Sequence, residues 1–304
     1  MRRPSGLWCA AALLLAACAP RRSPHPLALV PPAPAAETRE TTIANGFISL
    51  RLDVPSGGDA RKPVVLSPIA DHRRELLEAG IIVVWHRVNW EVLAPLVPPP
   101  PAVAAEPPGP SVGAWLLAAP TAKTVGQSYF GLINHDATSA IPAVLDYLTT
   151  LPEVDPSRIG IEGASTTGFI ALEAVAHDPR LAAAVVASAC GDYFGFLHRS
   201  NLAMAGKPLD LDPAYARRLR GEQPIAHPTR LTHAALLLLN GARDPAVPLA
   251  CAKRTDVVLR AAYRRAGVPE RYRAVVYPDY GHNLGPEARA EAAAWWARWL
   301  GAYR

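Results

Sequence analysis

Apolar and polar positions change period along the chain, and each change marks an element. Residues 47–54 (Phe-Ile-Ser-Leu-Arg-Leu-Asp-Val) alternate, which predicts an edge strand before the turn at Pro55-Ser-Gly-Gly. Residues 63–69 predict a short apolar strand. Asp71 then stands at a helix N-cap, and residues 73–79 predict a helix closed by Gly80. Residues 81–88 are apolar almost throughout, as a parallel strand covered on both faces should be. Strand, helix and strand in this order predict a right-handed βαβ unit. From 89 to 132 the pattern fails, and Pro98 to Pro101 with Pro107-Pro-Gly-Pro110 predict a surface excursion. Residues 136–151 predict a helix with Ile141, Val144, Leu145 and Leu148 on one face. Ile159 and Ile161 mark a strand at 158–162, and Ile170, Ala171, Ala174 and Val175 mark the helix behind it. Further strands are expected at 181–189, 234–240 and 272–277, and further helices at 252–267 and 286–303. Residues 193–230 carry aromatics with weak helical patterning and predict a small cap insertion. Trp295, Trp296 and Trp299 are expected to face the core. The predicted class is α/β, with a mostly parallel central sheet flanked by helices.

The amino terminus follows a different logic. Arg2 and Arg3 precede an apolar run, residues 10–17, that is too short to span a bilayer. The run ends Leu15-Ala16-Ala17-Cys18, which resembles the lipobox of bacterial lipoproteins. That resemblance implies a signal peptide at 1–17 and lipidation of Cys18. It further implies a Pro/Ala-rich tether at 18–40 and a folded domain at 41–304, held at the bacterial cell envelope by a lipid anchor. Ala19 after the cysteine favours the outer membrane. An ordinary cleaved signal peptide is the alternative reading.

Half of the 304 residues are apolar, enough for one large domain. The net charge of +5 comes without a Lys/Arg stripe interleaved with aromatics, so no nucleic-acid partner is expected. With Cys9 removed and Cys18 modified, Cys190 and Cys251 remain, either bonded or as two buried thiols. No Cys/His cluster has zinc spacing, and no cofactor is expected.

The chemistry begins at Gly163-Ala-Ser165-Thr-Thr167-Gly168, at the junction of a strand and a helix. The segment is close to the G-x-S-x-G nucleophile elbow, with Thr167 where the second glycine would stand. A phosphate loop would need Lys-Ser/Thr where the chain has Phe169-Ile170, and a dinucleotide fingerprint would need a G-x-G that is missing. Asp244 follows the 234–240 strand and His282 follows the last one. Three residues behind three strands would gather at one carboxyl edge. Asp192 and Asp279 are rivals for the acid, and His72, His86 and His135 lie near the same mouth.

Together these segments resemble the α/β-hydrolase superfamily, nearest to dienelactone-hydrolase-like esterases, over residues 63–304. The resemblance implies an α/β-hydrolase fold with Ser165 as nucleophile, His282 as its base and Asp244 holding the imidazole. It also implies an oxyanion hole made by the Thr166 N–H and a donor from the loop after the 63–69 strand. Pro68 has no N–H, so Ile69 or Ala70 would supply that donor. Where the family often has His-Gly, this chain has Ser67-Pro68. The implied partner is a small-molecule carboxylic ester, with Phe194 and Phe196 lining its acyl pocket. Two alternatives stay open: peptides, as in prolyl-oligopeptidase-like members, and a hydrolase fold that only binds its ligand.

Overall fold

Eight strands share one sheet in the order β1-β2-β4-β3-β5-β6-β7-β8. The computed structural model describes residues 35–57, 60–69, 72–89, 122–200 and 211–301. The signal peptide, Cys18, most of the 18–40 tether and residues 90–121 of the excursion lie outside the described residues. The strands are β1 (Ala36–Ile43), β2 (Ile48–Pro55), β3 (Lys62–Leu66), β4 (Ile82–Val88), β5 (Val154–Ala164), β6 (Leu181–Ala187), β7 (Ala235–Gly241) and β8 (Tyr272–Tyr277). β1 and β2 pair antiparallel, as do β2 and β4; every other pairing is parallel. This is the α/β-hydrolase fold.

The helices cover both faces, which explains the nearly continuous apolar runs of β6 and β7; β4 is buried over residues 82–84, and beyond that Trp85 and Arg87 are exposed. On one face lie α2 (Ala122–His135), α3 (Ile141–Leu148), α4 (Thr166–His177), α5 (Tyr193–Arg199) and α7 (Leu249–Arg265). On the other lie α1 (Arg73–Glu78) and α8 (Pro286–Leu300), where Trp295 and Trp296 are buried against Val65, Val83, Val185 and Leu237. The remaining described helix, α6 (Pro213–Glu222), belongs with α5 to the 193–230 insertion. None of the described helices is long and apolar enough to cross a membrane.

Two boundaries differ from the sequence reading. Ordered strand begins at Ala36, inside the span assigned to the tether. β1 carries Glu37, Arg39 and Glu40, so no apolar period announces it; its backbone ladder with β2 and a 2.6 Å bond from Thr38 to Asp53 hold it. Charged edges of this kind also discourage pairing with other chains. The second difference is the helix expected at 136–151. It starts earlier, as α2, and passes through a π-helical stretch, Asp136–Ala140, before α3. Pro142 has no N–H to continue the i→i−4 ladder, so the helix is irregular just where α3 begins.

Cys190 and Cys251 are bonded, with Cα atoms 5.8 Å apart and 61 residues of separation. The bridge ties the segment after β6 to the first turn of α7. Closing a loop of that length removes unfolded-state entropy worth about 4 kcal/mol. The Cys190→Ala/Cys251→Ala double variant is therefore expected to melt about 10 °C lower, read by calorimetry. A shift below about 2 °C would show that the bridge contributes little.

Candidate active site

Ser165 stands between the end of β5 and the start of α4, at the helix N-cap. Its φ of 56° and ψ of −125° lie where non-glycine residues seldom go, and such strain gathers at functional turns. Three residues make the turn fit. A Cβ on Gly163 would stand 2.1 Å from the Thr167 carbonyl oxygen, so only glycine passes under the new helix. A Cβ on Gly168 would stand 2.8 Å from the Ala187 carbonyl, which lets α4 lie close on β6. Thr167, the departure from the motif, is absorbed by its own hydroxyl, which donates to the Ala164 carbonyl and accepts the Ala164 N–H, each at 2.9 Å. The threonine thus ties the turn together from inside.

The sheet register carries the other two residues to the same edge. Ala164 pairs with Ala187, Ala187 with Leu239, and Gly241 with Tyr277. Asp244 follows β7 and its side chain is fully buried. Its Oδ1 accepts the N–H groups of Ala246 and Val247 at 2.8 and 2.9 Å. Its Oδ2 lies 2.8 Å from His282 Nδ1. A carboxylate can only accept there, so Nδ1 carries the proton and Nε2 keeps its lone pair. His282 is about one-third exposed. Ser165 Oγ makes no hydrogen bond among the described residues and is free at the edge.

The rivals have other employment. Asp192 caps α5, accepting the Gly195 N–H at 3.0 Å, and pairs with Arg254. Asp279 is three-quarters exposed and pairs with Arg243 on the surface. His86 lies in β4, where burial pushes its imidazole down to about 4. His135 packs edge-on against Phe47, and burial lowers its imidazole too. His72 bonds Glu162 at 3.1 Å.

Two expectations change. The Ile69 N–H donates to Ser67 Oγ at 3.2 Å, because the turn through Pro68 folds it back over that hydroxyl. In this arrangement it is not offered to a substrate, and Ala70 lies outside the described residues. The Thr166 N–H, in the first turn of α4, has no carbonyl in its own helix to bond and stays a candidate donor. Phe196 is not a pocket wall. It is fully buried, stacked on Tyr129 and packed on Phe169, while Phe194 lies under the Arg220 guanidinium at 3.9 Å.

The structure also adds residues that the sequence reading missed. Tyr129 Oη lies 3.5 Å from Thr166 Oγ1, and burial pushes its pKa up, so the phenol stays protonated. Ser188, at a positive φ of 48°, donates to the His282 carbonyl at 2.7 Å and fixes the loop that carries the imidazole. A polar residue closing an otherwise apolar strand was the only signal for Ser188. A cavity of about 860 Å³ touches this region through Ser67, Pro68 and Ile69, and its lining includes none of Ser165, Asp244 and His282. Among the described residues no group of His, Cys, Asp and Glu could hold a metal ion.

Gly241 gives a test of how tightly the loop is held. A Cβ there would stand 2.1 Å from the Gly281 oxygen and 2.5 Å from the Tyr280 oxygen. Gly241→Ala must push the peptide before His282 aside. A displacement near 1 Å costs about 100-fold in rate. We expect that loss in kcat with KM little changed, measured by steady-state kinetics; unchanged kcat would show that the loop has slack.

Known proteins share the family and the fold of this chain. Residues 135–303 match the family described as Prolyl oligopeptidase family. A candidate hydrolase of Bacillus subtilis (strain 168), YtaP, is 27% identical over 175 residues, 58% of this chain and 56% of that one. Among solved structures, a puromycin-hydrolyzing peptidase of Mycobacterium tuberculosis superimposes with a TM-score of 0.61 at 18% identity, covering 89% of this chain and 40% of its own. A candidate dienelactone hydrolase of Klebsiella pneumoniae subsp. pneumoniae MGH 78578 superimposes at 0.54 and 18% identity, over 88% of this chain and all of its own. The chain thus spans about half the length of the curated relative it matches and two-fifths of the peptidase structure. Likenesses this distant speak to the fold alone.

Proposed function

The chain belongs to the prolyl oligopeptidase family, and from that premise we propose that it is a serine hydrolase cleaving carboxylic ester bonds through an acyl-enzyme on Ser165. The observation that carries this reading is the His282–Asp244 bond at the carboxyl edge where Ser165 opens α4. Serine is a weak nucleophile at neutral pH and needs a base to take its proton as it attacks. His282 Nε2, left unprotonated by the bond on Nδ1, is that base, and it later returns the proton to the leaving alcohol. Asp244 fixes the tautomer and stabilises the imidazolium. The Thr166 N–H receives the oxyanion. The Tyr129 hydroxyl accepts from Thr166 Oγ1 at 3.5 Å and packs beside the elbow from within the core. Water then attacks the acyl-enzyme by the same path.

A second reading, peptide or amide hydrolysis, is favoured by the family match itself. The two differ in the leaving group and not in the machinery. A panel of short p-nitrophenyl esters set against aminoacyl and prolyl anilides ranks them by kcat/KM. Anilide cleavage without ester turnover would put the peptidase reading first.

The envelope location and the Cys18 anchor rest on the lipobox resemblance. A disulfide between Cys190 and Cys251 supports an oxidising compartment. Mass spectrometry of the mature amino terminus tests the anchor, with diacylglycerol on Cys18 as the expected result.

A further inference from the structure

β5 carries one acid deep in the sheet. Glu162 is 1% exposed, three residues before Ser165. A buried carboxylate is costly unless every lone pair is used. Here Oε1 accepts the Ser67 hydroxyl proton, and Oε2 faces His72 Nδ1 at 3.1 Å and Trp296 Nε1 at 3.4 Å. The three partners come from the loop after β3, the residue before α1, and α8. Each is a different element, so the carboxylate is a cross-link between them.

The bond to Ser67 has a directional consequence. With its proton given to Glu162, Ser67 Oγ presents lone pairs, and one takes the Ile69 N–H. The run from Glu162 through Ser67 to Ile69 therefore fixes the shape of residues 67–69. Register places that loop beside the elbow: Leu66 pairs with Ile161, so Ser67 leaves β3 next to the strand that leads into Ser165.

We propose that Glu162 is a positioning residue for the reaction: through Ser67 it holds the loop after β3 as the wall of the site facing the Ser165 elbow, without touching the substrate. The proposal rests on the acyl-hydrolase reading above. His72 supports it. Burial pushes its imidazole down, but the hydrogen bond to Glu162 and that carboxylate's charge outweigh it and raise the imidazole above its ordinary value. Glu75 adds to the rise and Arg289 of α8 opposes it. Stability alone does not explain the group, since apolar residues of similar size serve a core as well.

The test uses the full chain with a short p-nitrophenyl ester, with kcat expressed per site titrated by a fluorophosphonate. Glu162→Gln and Ser67→Ala are each expected to lower kcat by about 10- to 100-fold, less than the loss of a whole oxyanion donor, with KM within about twofold. Ser67→Thr keeps the hydroxyl and should restore kcat to within about threefold of wild type. If Glu162→Gln does not fold, the two Ser67 variants decide the matter. If both acid and hydroxyl variants keep kcat per site within about twofold while melting lower, the carboxylate is merely structural and the proposal falls. Failure of the underlying reading looks different: wild type itself takes up no label at Ser165 and turns over no ester, and the proposal falls with it.

Discussion

Ser165→Ala is expected to lower kcat by about 10⁶-fold, the scale on which losing the nucleophile leaves only binding and oxyanion stabilisation. The same variant should take up no fluorophosphonate. Its fold should survive, because Ser165 Oγ makes no hydrogen bond among the described residues and alanine meets the positive φ with the same Cβ. Melting within about 2 °C of wild type would confirm that chemistry and not folding has been removed. The measurement is single-turnover and steady-state ester hydrolysis with intact-mass analysis of the labelled protein. Residual turnover above about 1% would assign the nucleophile elsewhere.

Asp244→Asn is expected to cost about 10⁴-fold in kcat, through the tautomer. Asp244 uses one oxygen for two backbone N–H groups and the other for His282 Nδ1. Asparagine has a single oxygen. If it keeps the backbone bonds, an N–H is left facing the Nδ1 proton. The imidazole then shifts its proton to Nε2, the position that must accept from Ser165. KM should change little, because no substrate contact is altered. Asp279→Asn is the control: its carboxylate is exposed and pairs with Arg243 on the surface, so kcat should hold. A loss at Asp279 with none at Asp244 would reverse the assignment of the acid.

Much of this site could be read before any coordinates. The elbow was legible because strand period, a glycine and a serine fall within ten residues. Asp244 and His282 were legible because each follows a strongly apolar or alternating run, and parallel strands present their carboxyl ends on one side. The choice of Asp244 over Asp192 and Asp279 was less so, since all three follow strands. It took the side-chain bonds to separate an N-cap, a surface ion pair and a histidine partner. Phe196 shows the converse error. An aromatic in an insertion reads as a pocket wall, yet here it fills a core with Tyr129 and Phe169.

By itself the sequence determined the order of elements, the α/β class, the strained turn at Ser165 and the residues at the sheet edge. All of these follow from local preferences: period, turn chemistry and chain order. Tertiary structure alone decided which buried polar groups meet. Ser67 finds Glu162 across 95 residues, Ser188 finds the His282 carbonyl across 94, and Cys190 finds Cys251 across 61. It also made β1 a strand without an apolar signal and turned the Ile69 N–H away from the site. Such pairings depend on register between strands distant in the chain, and a one-residue shift of β5 would turn Glu162 to the other face of the sheet.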